Sequence, residues 1–194
     1  MNENKKIDCL FLVTKSSGKT YQKLSVTYSA IEPPTWALLL AQSMRSVGNE
    51  VRILDANAED LTEVEILNRV KNLSPRLICI VVYGQNVNAG TTNMSGATYI
   101  SKHLKNNHIK IPICIIGSHV QALPVETLEK EKSIDFVFTN EGVYSLRNVL
   151  KLKNFSSESL KEVKGIAMRL NGKVIINTPE RIVPNEKMDL DLPG

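Results

Sequence analysis

Glycines and neutral polar residues follow three separate apolar runs of this sequence. They are Tyr83-Gly84-Gln85-Asn86-Val87-Asn88, Gly117-Ser118-His119 and Asn140-Glu141-Gly142. Amides, hydroxyls and main-chain groups at such positions can hydrogen-bond a largely uncharged ligand, and glycines let a bulky ligand approach the backbone closely. Each glycine taken alone is about equally well explained as a turn residue. The three strings together predict binding of a large neutral molecule.

The ionisable residues do not form a recognisable catalytic set. His103 and His108 lie in a polar stretch and are expected in solvent, whereas His119 stands where it could contact a ligand. A histidine without Cys, His or Asp partners at metal-ligand spacing is not expected to bind a metal. Glu141 has no nucleophile or second carboxylate near it in sequence, so hydrogen bonding is favoured over general base catalysis. We therefore predict neither a catalytic residue nor a protein metal ligand.

The string Ser16-Ser17-Gly18-Lys19-Thr20 is similar to the end of a nucleotide-binding P-loop. A P-loop needs a glycine five residues before Gly18, where this sequence has Val13, and a helix that begins at the Lys-Thr. The serine- and threonine-rich phosphate loop of flavodoxins also runs directly into a helix, whereas here a dozen residues and two prolines come first. A flexible polar loop is the favoured interpretation.

Runs rich in Ile, Val and Leu alternate with helix-like segments along the first 150 residues, which is typical of repeated β-α units. The predicted strands are 7–13, 50–55, 77–83, 112–116 and 136–139, and the predicted helices are 35–47, 63–72, 95–106, 124–131 and 144–152. We expect an α/β fold with a Rossmann/flavodoxin-like, doubly wound, five-stranded parallel sheet of order 2-1-3-4-5 and helices on both faces. Ligands of such sheets bind outside the carboxyl ends of the strands, where the three polar strings would meet.

The C-terminal part has a different pattern. Two apolar stretches, 165–170 and 173–177, flank Asn171-Gly172, a dipeptide that favours a type I′ hairpin turn. This predicts a C-terminal β-hairpin at the sheet edge. The tail, 178–194, contains three prolines and no periodicity. We therefore divide the chain into an α/β domain at 1–155, a hairpin extension of that domain at 156–183, and a linker at 184–194 toward a domain missing from this chain.

Composition excludes several classes of protein. The 24 basic and 20 acidic residues are mixed along the sequence, and the few aromatic residues form no ladder for stacking bases, so nucleic acid is not an expected partner. Cys9, Cys79 and Cys114 each lie inside an apolar run, which favours core packing in a reducing compartment. The polar N-terminus and the short apolar runs predict no signal peptide and no membrane partner. A cytoplasmic protein is expected.

Several strings occur in the order typical of one family. They are Glu32-Pro33-Pro34, Gly48 to Asp55, Val82 to Asn88, Gly117-Ser118-His119 with Ala122-Leu123-Pro124, Ile134 to Val137 with Glu141-Gly142, the hairpin Gly165 to Asn177, and Leu190 to Pro193. In this order they resemble the N-terminal cobalamin-binding domain of cobalamin-dependent radical SAM enzymes. That group includes anaerobic magnesium-protoporphyrin ester cyclase-like proteins and many methyltransferases. Each string alone is weak, but their order covers nearly the whole chain.

The resemblance implies cobalamin as the cofactor. The loops at 83–88 and 117–119 would line its nucleotide tail, and 140–142 would close the pocket. The long loop after the first strand, with 33–36, would approach the corrin face. The cofactor-binding residues implied are Thr14, Pro34, Thr35, Tyr83, Gly84, Gln85, Asn86, Val87, Asn88, Gly117, Ser118, His119, Asn140, Glu141 and Gly142.

Two departures from related patterns shape this expectation. The Asp-x-His-x-x-Gly string of proteins that ligate cobalt through histidine is absent, because no histidine precedes His103. Cobalamin would thus be held with no protein histidine on cobalt. The three scattered cysteines cannot supply the Cys-x-x-x-Cys-x-x-Cys of a radical SAM domain. The resemblance therefore implies that the 4Fe-4S cluster, S-adenosylmethionine and the small-molecule substrate belong to a radical SAM catalytic domain in cis, outside this chain, for methyl transfer or radical chemistry.

Two alternatives remain open from the residues. The first is flavodoxin-like binding of FMN or a nucleotide through Thr14–Thr20. The second is an interaction domain that keeps the architecture without a ligand.

Overall fold

The structure is a computed structural model of the chain. It describes residues 6–15, 33–83 and 87–192, with the backbone alone for 87–89. The elements below are those of the described residues.

Seven strands of the described chain form one sheet in the order β2-β1-β3-β4-β5-β6-β7. Their bounds are β1 Cys9–Val13, β2 Val51–Asp55, β3 Leu77–Val82, β4 Ile113–Gly117, β5 Phe136–Phe138, β6 Ile166–Leu170 and β7 Lys173–Ile176. The first five strands pair in parallel and follow the predicted order 2-1-3-4-5. Strands β1, β3 and β4 are almost fully buried, as expected for a parallel sheet covered on both faces.

The sheet has seven strands and not the predicted five, because the C-terminal hairpin pairs with β5 and extends the same sheet. Strand β6 pairs antiparallel with β5, and β7 pairs antiparallel with β6. The short strand β5 would otherwise leave its outer backbone groups unpaired, and the hairpin satisfies them. At the turn, Asn171 and Gly172 have φ values of 51° and 78°, which confirms the predicted primed turn.

Helices cover both faces of the sheet. Their bounds are α1 Thr35–Ser46, α2 Glu63–Leu73, α3 Val87–Asn106, α4 Ser118–Ala122, α5 Pro124–Lys130, α6 Val143–Leu150, α7 Ser157–Leu160 and α8 Met188–Asp191, with a 3₁₀ turn at Asn185–Lys187. Helices α1 and α6 bury their apolar residues on one face, and α2, α3 and α5 on the other. No helix within the described ranges has the length and hydrophobicity that a membrane span requires.

Helix α3 begins at Val87 and not at residue 95, so the sequence pattern misplaced its start. Gly90 and Gly96 lower the intrinsic helix propensity of this stretch. Each glycine, however, lies against another segment: a Cβ at Gly90 would come 2.1 Å from Ser118 Oγ, and one at Gly96 would come 1.8 Å from the carbonyl oxygen of Lys15. Close tertiary packing therefore outweighs the poor local propensity.

The C-terminal segment packs on the domain as far as Leu192. Val183 and Leu192 are buried in the core on the α1 and α6 side of the sheet. Asp191 accepts hydrogen bonds from Arg147 Nη1 at 2.7 Å and from the Tyr144 hydroxyl at 2.5 Å. Asp191 and Leu192, the last described residues of the segment predicted to be a linker, therefore contact the domain, whereas 185–190 are exposed.

The three cysteines are buried and free, on neighbouring strands β1, β3 and β4. Burial raises the pKa of the Cys9 and Cys114 thiols. Core packing, as predicted from their apolar surroundings, accounts for them.

Candidate functional site

The carboxyl ends of β1, β3, β4 and β5 lie side by side at one edge of the sheet. Parallel pairing in register places Val82 opposite Gly117 and aligns β1 with β3. The described residues of the polar strings follow these strands, so the fold brings Tyr83, Gly117 and Asn140 to a common edge.

An aromatic pair stands at this edge. Trp36, in the first turn of α1, stacks on Tyr83, which directly follows β3; the ring centroids are 4.4 Å apart and the planes differ by 22°. Both residues are partly buried against the core. The pair joins the start of α1 to the end of the central strand.

Gln121 of helix α4 is a functional candidate that the sequence did not reveal. Its Nε2 donates to the Tyr83 hydroxyl at 2.5 Å and to the Asn140 carbonyl oxygen at 2.9 Å. Burial raises the pKa of the Tyr83 phenol, and the hydrogen bond from Gln121 opposes that rise. The tyrosine therefore stays neutral and is held at a fixed position between the strands.

Asn140, Glu141 and Gly142 hold the C-terminal segment to the edge. Asn140 Oδ1 accepts from the Gly142 amide at 2.8 Å, and its Nδ2 donates to the Glu180 carbonyl oxygen at 3.0 Å. A Glu141 carboxylate oxygen accepts from the amide of Val183. Two of the three predicted pocket-closing residues thus use their side chains to fix 180–183.

Gly117 and Ser118 end β4 and begin α4. A Cβ at Gly117 would lie 2.2 Å from the carbonyl oxygen of Val82. The close contact with β3 is therefore enough to require a glycine here, whether or not a ligand binds. The Ser118 hydroxyl is buried and has no hydrogen-bond partner in the described part of the chain. An orphaned hydroxyl is uncommon in a folded protein, and this one lies at the edge beside Gly90 of α3.

His119 points toward helix α3. Its Nδ1 lies 3.2 Å from Thr91 Oγ1, and it lines a shallow cavity with Met94 and Glu126. The structure therefore places it beside α3, apart from the aromatic pair and its hydrogen-bond partners.

The remaining predicted site residues occupy the neighbouring loops. Thr14 is buried after β1, close to Gly96 of α3, and Pro34 and the exposed Thr35 begin α1. Val87 and Asn88 form the first turn of α3 and not a loop, which corrects the expectation for them. The predicted residues Gly84, Gln85 and Asn86 lie outside the described residues, as do residues 16–20 of the alternative flavin loop.

Among the described residues, no group of three or more His, Cys, Asp or Glu side chains is arranged to hold a metal ion. Lys15, the last described residue of the alternative flavin loop, pairs with Asp60 at 2.5 Å. Apart from Lys15, whose charge is paired with Asp60, the described donors considered at the edge are neutral hydroxyls and amides, which fit a ligand rich in amide groups better than a phosphate.

This fold and edge define a ligand-binding domain of the doubly wound α/β class. Residues 22–150 match the family model of the B12 binding domain, and the chain belongs to that family. The match confirms the family resemblance seen in the sequence and cobalamin as the cofactor. It does not favour the flavin alternative.

Two curated relatives cover most of this chain. An uncharacterized methyltransferase of Pyrococcus horikoshii is 28% identical over 153 residues, which is 79% of this chain and 31% of the relative. The anaerobic magnesium-protoporphyrin IX monomethyl ester cyclase of a Synechocystis species is 26% identical over 161 residues, which is 82% of this chain and 30% of the relative. The chain therefore spans about a third of the length of these relatives.

Solved structures show the same fold. The radical S-adenosylmethionine methyltransferase TsrM of Kitasatospora setae, with tryptophan substrate and a SAM analog, matches 88% of this chain and 30% of its own at TM-score 0.66 and 13% identity. The same enzyme with cobalamin and a [4Fe-4S] cluster matches 93% of this chain and 30% of its own, at 0.63 and 13%. The cobalamin-dependent radical enzyme OxsB matches 97% of this chain and 24% of its own, at 0.64 and 16%.

Proposed function

We propose that this chain binds cobalamin at the carboxyl edge of its sheet, without a protein histidine on cobalt, and presents it to a radical SAM catalytic domain. The observation that carries the proposal is membership of the B12 binding domain family combined with the neutral donors at this edge. When bound, cobalamin would supply the methyl-transfer or radical chemistry, and the protein would supply binding and orientation.

The buried edge residues fit such a group. The orphaned Ser118 hydroxyl offers a neutral donor and acceptor, and Tyr83 keeps its proton in a buried position. Trp36 and Tyr83 add a stacked apolar surface next to these polar groups. A large ligand with a broad apolar area and peripheral amides needs this combination.

Gln121 and Asn140 act as positioning residues in this proposal. Gln121 holds both the Tyr83 hydroxyl and the carbonyl of Asn140, so α4 ties the ends of β3 and β5 together. A pre-organised edge lowers the entropy cost of binding a large ligand. We expect the edge to change little on binding.

Attachment to a catalytic domain is supported by the length of the relatives and by exposed apolar residues. The chain covers 31% and 30% of the two curated relatives. Near its end, Ile182 and Leu190 are 63% and 72% exposed, and Met188 is also exposed. These side chains supply a surface against which a further domain can pack.

Retention of added cofactors tests the binding proposal. The purified chain is mixed separately with hydroxocobalamin and FMN, desalted, and examined by visible spectroscopy. We expect corrin absorbance to be retained and flavin absorbance to be lost. Retained flavin without corrin, or retention of neither, would contradict the proposal.

A matched pair of variants tests where the cobalamin sits. Ser118→Ala removes the orphaned hydroxyl at the edge, and Ser145→Ala removes another buried hydroxyl without a described partner, in the first turn of α6. Because only the first hydroxyl is placed to meet the ligand, we expect Ser118→Ala to weaken cobalamin binding roughly two- to tenfold. Ser145→Ala should leave binding unchanged. Equal effects of the two variants on cobalamin binding would show that the Ser118 hydroxyl does not contact the cofactor.

An immunoblot tests the attachment in cis. An antibody raised against this 21.6 kDa chain should detect, in extracts of the native cells, a polypeptide about three times as heavy. A band at the mass of this chain alone would contradict attachment in cis and leave cobalamin binding unaffected.

A further inference from the structure

A cavity of about 370 Å³ lies on the outer side of helix α6, between that helix and the C-terminal segment. It is lined by Val47, Tyr144, Arg147, Asn148, Lys151, Glu180, Arg181, Lys187 and Asp191. Tyr144, Arg147 and Asn148 lie on one face of α6, and Lys151, which directly follows the helix in an α-helical conformation, continues that face. Residues 180–191 form the opposite wall.

The two acidic residues of the cavity are already engaged. Asp191 accepts from Arg147 at 2.7 Å and from Tyr144 at 2.5 Å. Glu180 accepts from Asn148 Nδ2 at 3.1 Å and from the Arg181 amide at 2.9 Å. Their negative charges are thus stabilised by neighbouring donors.

Three of the four basic residues have no such partner. Within residues 6–15, 33–83 and 87–192, Lys151, Arg181 and Lys187 form no ion pair. The cavity therefore carries an excess of positive charge that the described protein does not neutralise. Such an excess attracts anions.

Both guanidinium groups are held in place. Arg147 is only 11% exposed, and its Nη2 donates to the carbonyl oxygen and the hydroxyl of Ser43 at 3.2 and 2.9 Å. The Nε of Arg147 is buried without a described partner. The guanidinium of Arg181 lies over the Tyr144 ring, 4.7 Å from its centroid. Pre-organised guanidinium groups lose little freedom when they bind an oxyanion.

From this geometry we propose that the cavity binds a small molecule carrying a diphosphate or a similar oligophosphate group. The cavity lining has four basic and two acidic residues, so it keeps a net positive charge, and a diphosphate bears roughly three negative charges near neutral pH. Guanidinium groups bind phosphate oxygens through paired N–H donors, and lysines add point charges. Because the ligand would contact both walls, it would also hold residues 180–191 against α6.

This site is separate from cobalamin binding, and its test needs no cobalamin. The whole chain is titrated with pyrophosphate by calorimetry at constant ionic strength, with sulfate as the control anion. Arg181→Gln and Lys151→Gln each remove a cation from the cavity. Lys71→Gln removes an exposed cation from α2, on the other face of the sheet.

We expect pyrophosphate to bind more tightly than sulfate and to slow amide hydrogen exchange of residues 180–191. Each cavity variant should weaken binding roughly tenfold or more, while Lys71→Gln leaves it unchanged. Circular dichroism establishes that each variant is folded. No saturable binding to the unchanged chain, or equal losses in the cavity and control variants, would overturn the proposal.

Discussion

The indole of Trp36 stacks on the phenol ring of Tyr83, with 4.4 Å between the ring centroids. The pair joins the first turn of α1 to the end of β3, at the edge where cobalamin is proposed to bind. A stacked aromatic pair contributes about 0.5–1.5 kcal/mol beyond the area it buries. It therefore contributes to the stability of the fold as well as to the shape of the proposed site.

Trp36 is the only tryptophan of the chain, so its fluorescence reports on this edge alone. We expect hydroxocobalamin to quench the emission saturably, because the absorbing corrin would lie near the indole. Trp36→Phe should retain cobalamin, and Trp36→Ala should lower both retention and the free energy of unfolding, the latter by about 1 kcal/mol or more. Quenching no stronger than that of free tryptophan amide at the same cobalamin concentration would place the cofactor elsewhere.

A chain without histidine tests the proposed state of cobalt. The sequence has three histidines, and His103→Gln, His108→Asn and His119→Gln remove them all. Asparagine suits position 108 because its φ is 62°, a conformation that asparagine tolerates. We expect the visible spectrum of bound cobalamin to be identical in the two chains, both purified without a histidine tag. A spectral shift would show that a protein imidazole reaches the metal.

Gly96→Ala tests the packing of α3 against the end of β1. In an exposed helix interior this change would stabilise by about 1 kcal/mol. Here the added Cβ would lie 1.8 Å from the Lys15 carbonyl oxygen, so we expect a loss of about 2 kcal/mol or more in urea denaturation. Asn106→Ala, at an exposed position of the same helix, should stay within about 0.5 kcal/mol of the unchanged chain. Stabilisation by Gly96→Ala would show that the helix is placed wrongly.

Asp191→Asn tests the docking of the C-terminal segment. The hydrogen bond from Tyr144 and the Arg147 guanidinium lower the pKa of Asp191, so the folded state favours the carboxylate. Its stabilisation is present above the ordinary carboxyl pKa of about 3.9 and is lost as pH falls through the lowered value. We expect Asp191→Asn to cost about 1–3 kcal/mol at pH 7 and progressively less as the pH is lowered below 3.9 in guanidinium denaturation.

Asp189→Asn is the matched control, because Asp189 is exposed on the same short helix and has no ion pair among the described residues. It should leave stability unchanged at both ends of the pH range. Equal losses for the two variants, or a loss for Asp191→Asn that does not depend on pH, would contradict the docking contact.

The sequence predicted the parallel strands and the hairpin because both have local patterns: buried runs of Ile, Val and Leu, and the Asn171-Gly172 turn. The strand order followed from the flavodoxin-like fold class that the alternating β-α pattern indicates. It misplaced the start of α3 because Gly90 and Gly96 are explained only by contacts with Ser118 and Lys15, which are distant in sequence.

Gln121 escaped prediction for a similar reason. Nothing in its local sequence distinguishes it from a surface glutamine, and its partners Tyr83 and Asn140 follow two separate strands, β3 and β5. The contacts of Asp191 have no local pattern either, because its partners Tyr144 and Arg147 lie 47 and 44 residues earlier in the chain. Side chains that connect separate elements carry no periodic signal.

Asn140 accepts a hydrogen bond from the Gly142 amide with its oxygen and donates one to the Glu180 carbonyl with its nitrogen. One side chain thus joins the proposed cofactor edge to the C-terminal segment. If a bound cofactor strengthens the docking of that segment by some factor, thermodynamic linkage requires that docking strengthen cofactor binding by the same factor. Movement of a neighbouring domain that pulls on 180–192 would then regulate how tightly the cofactor is held.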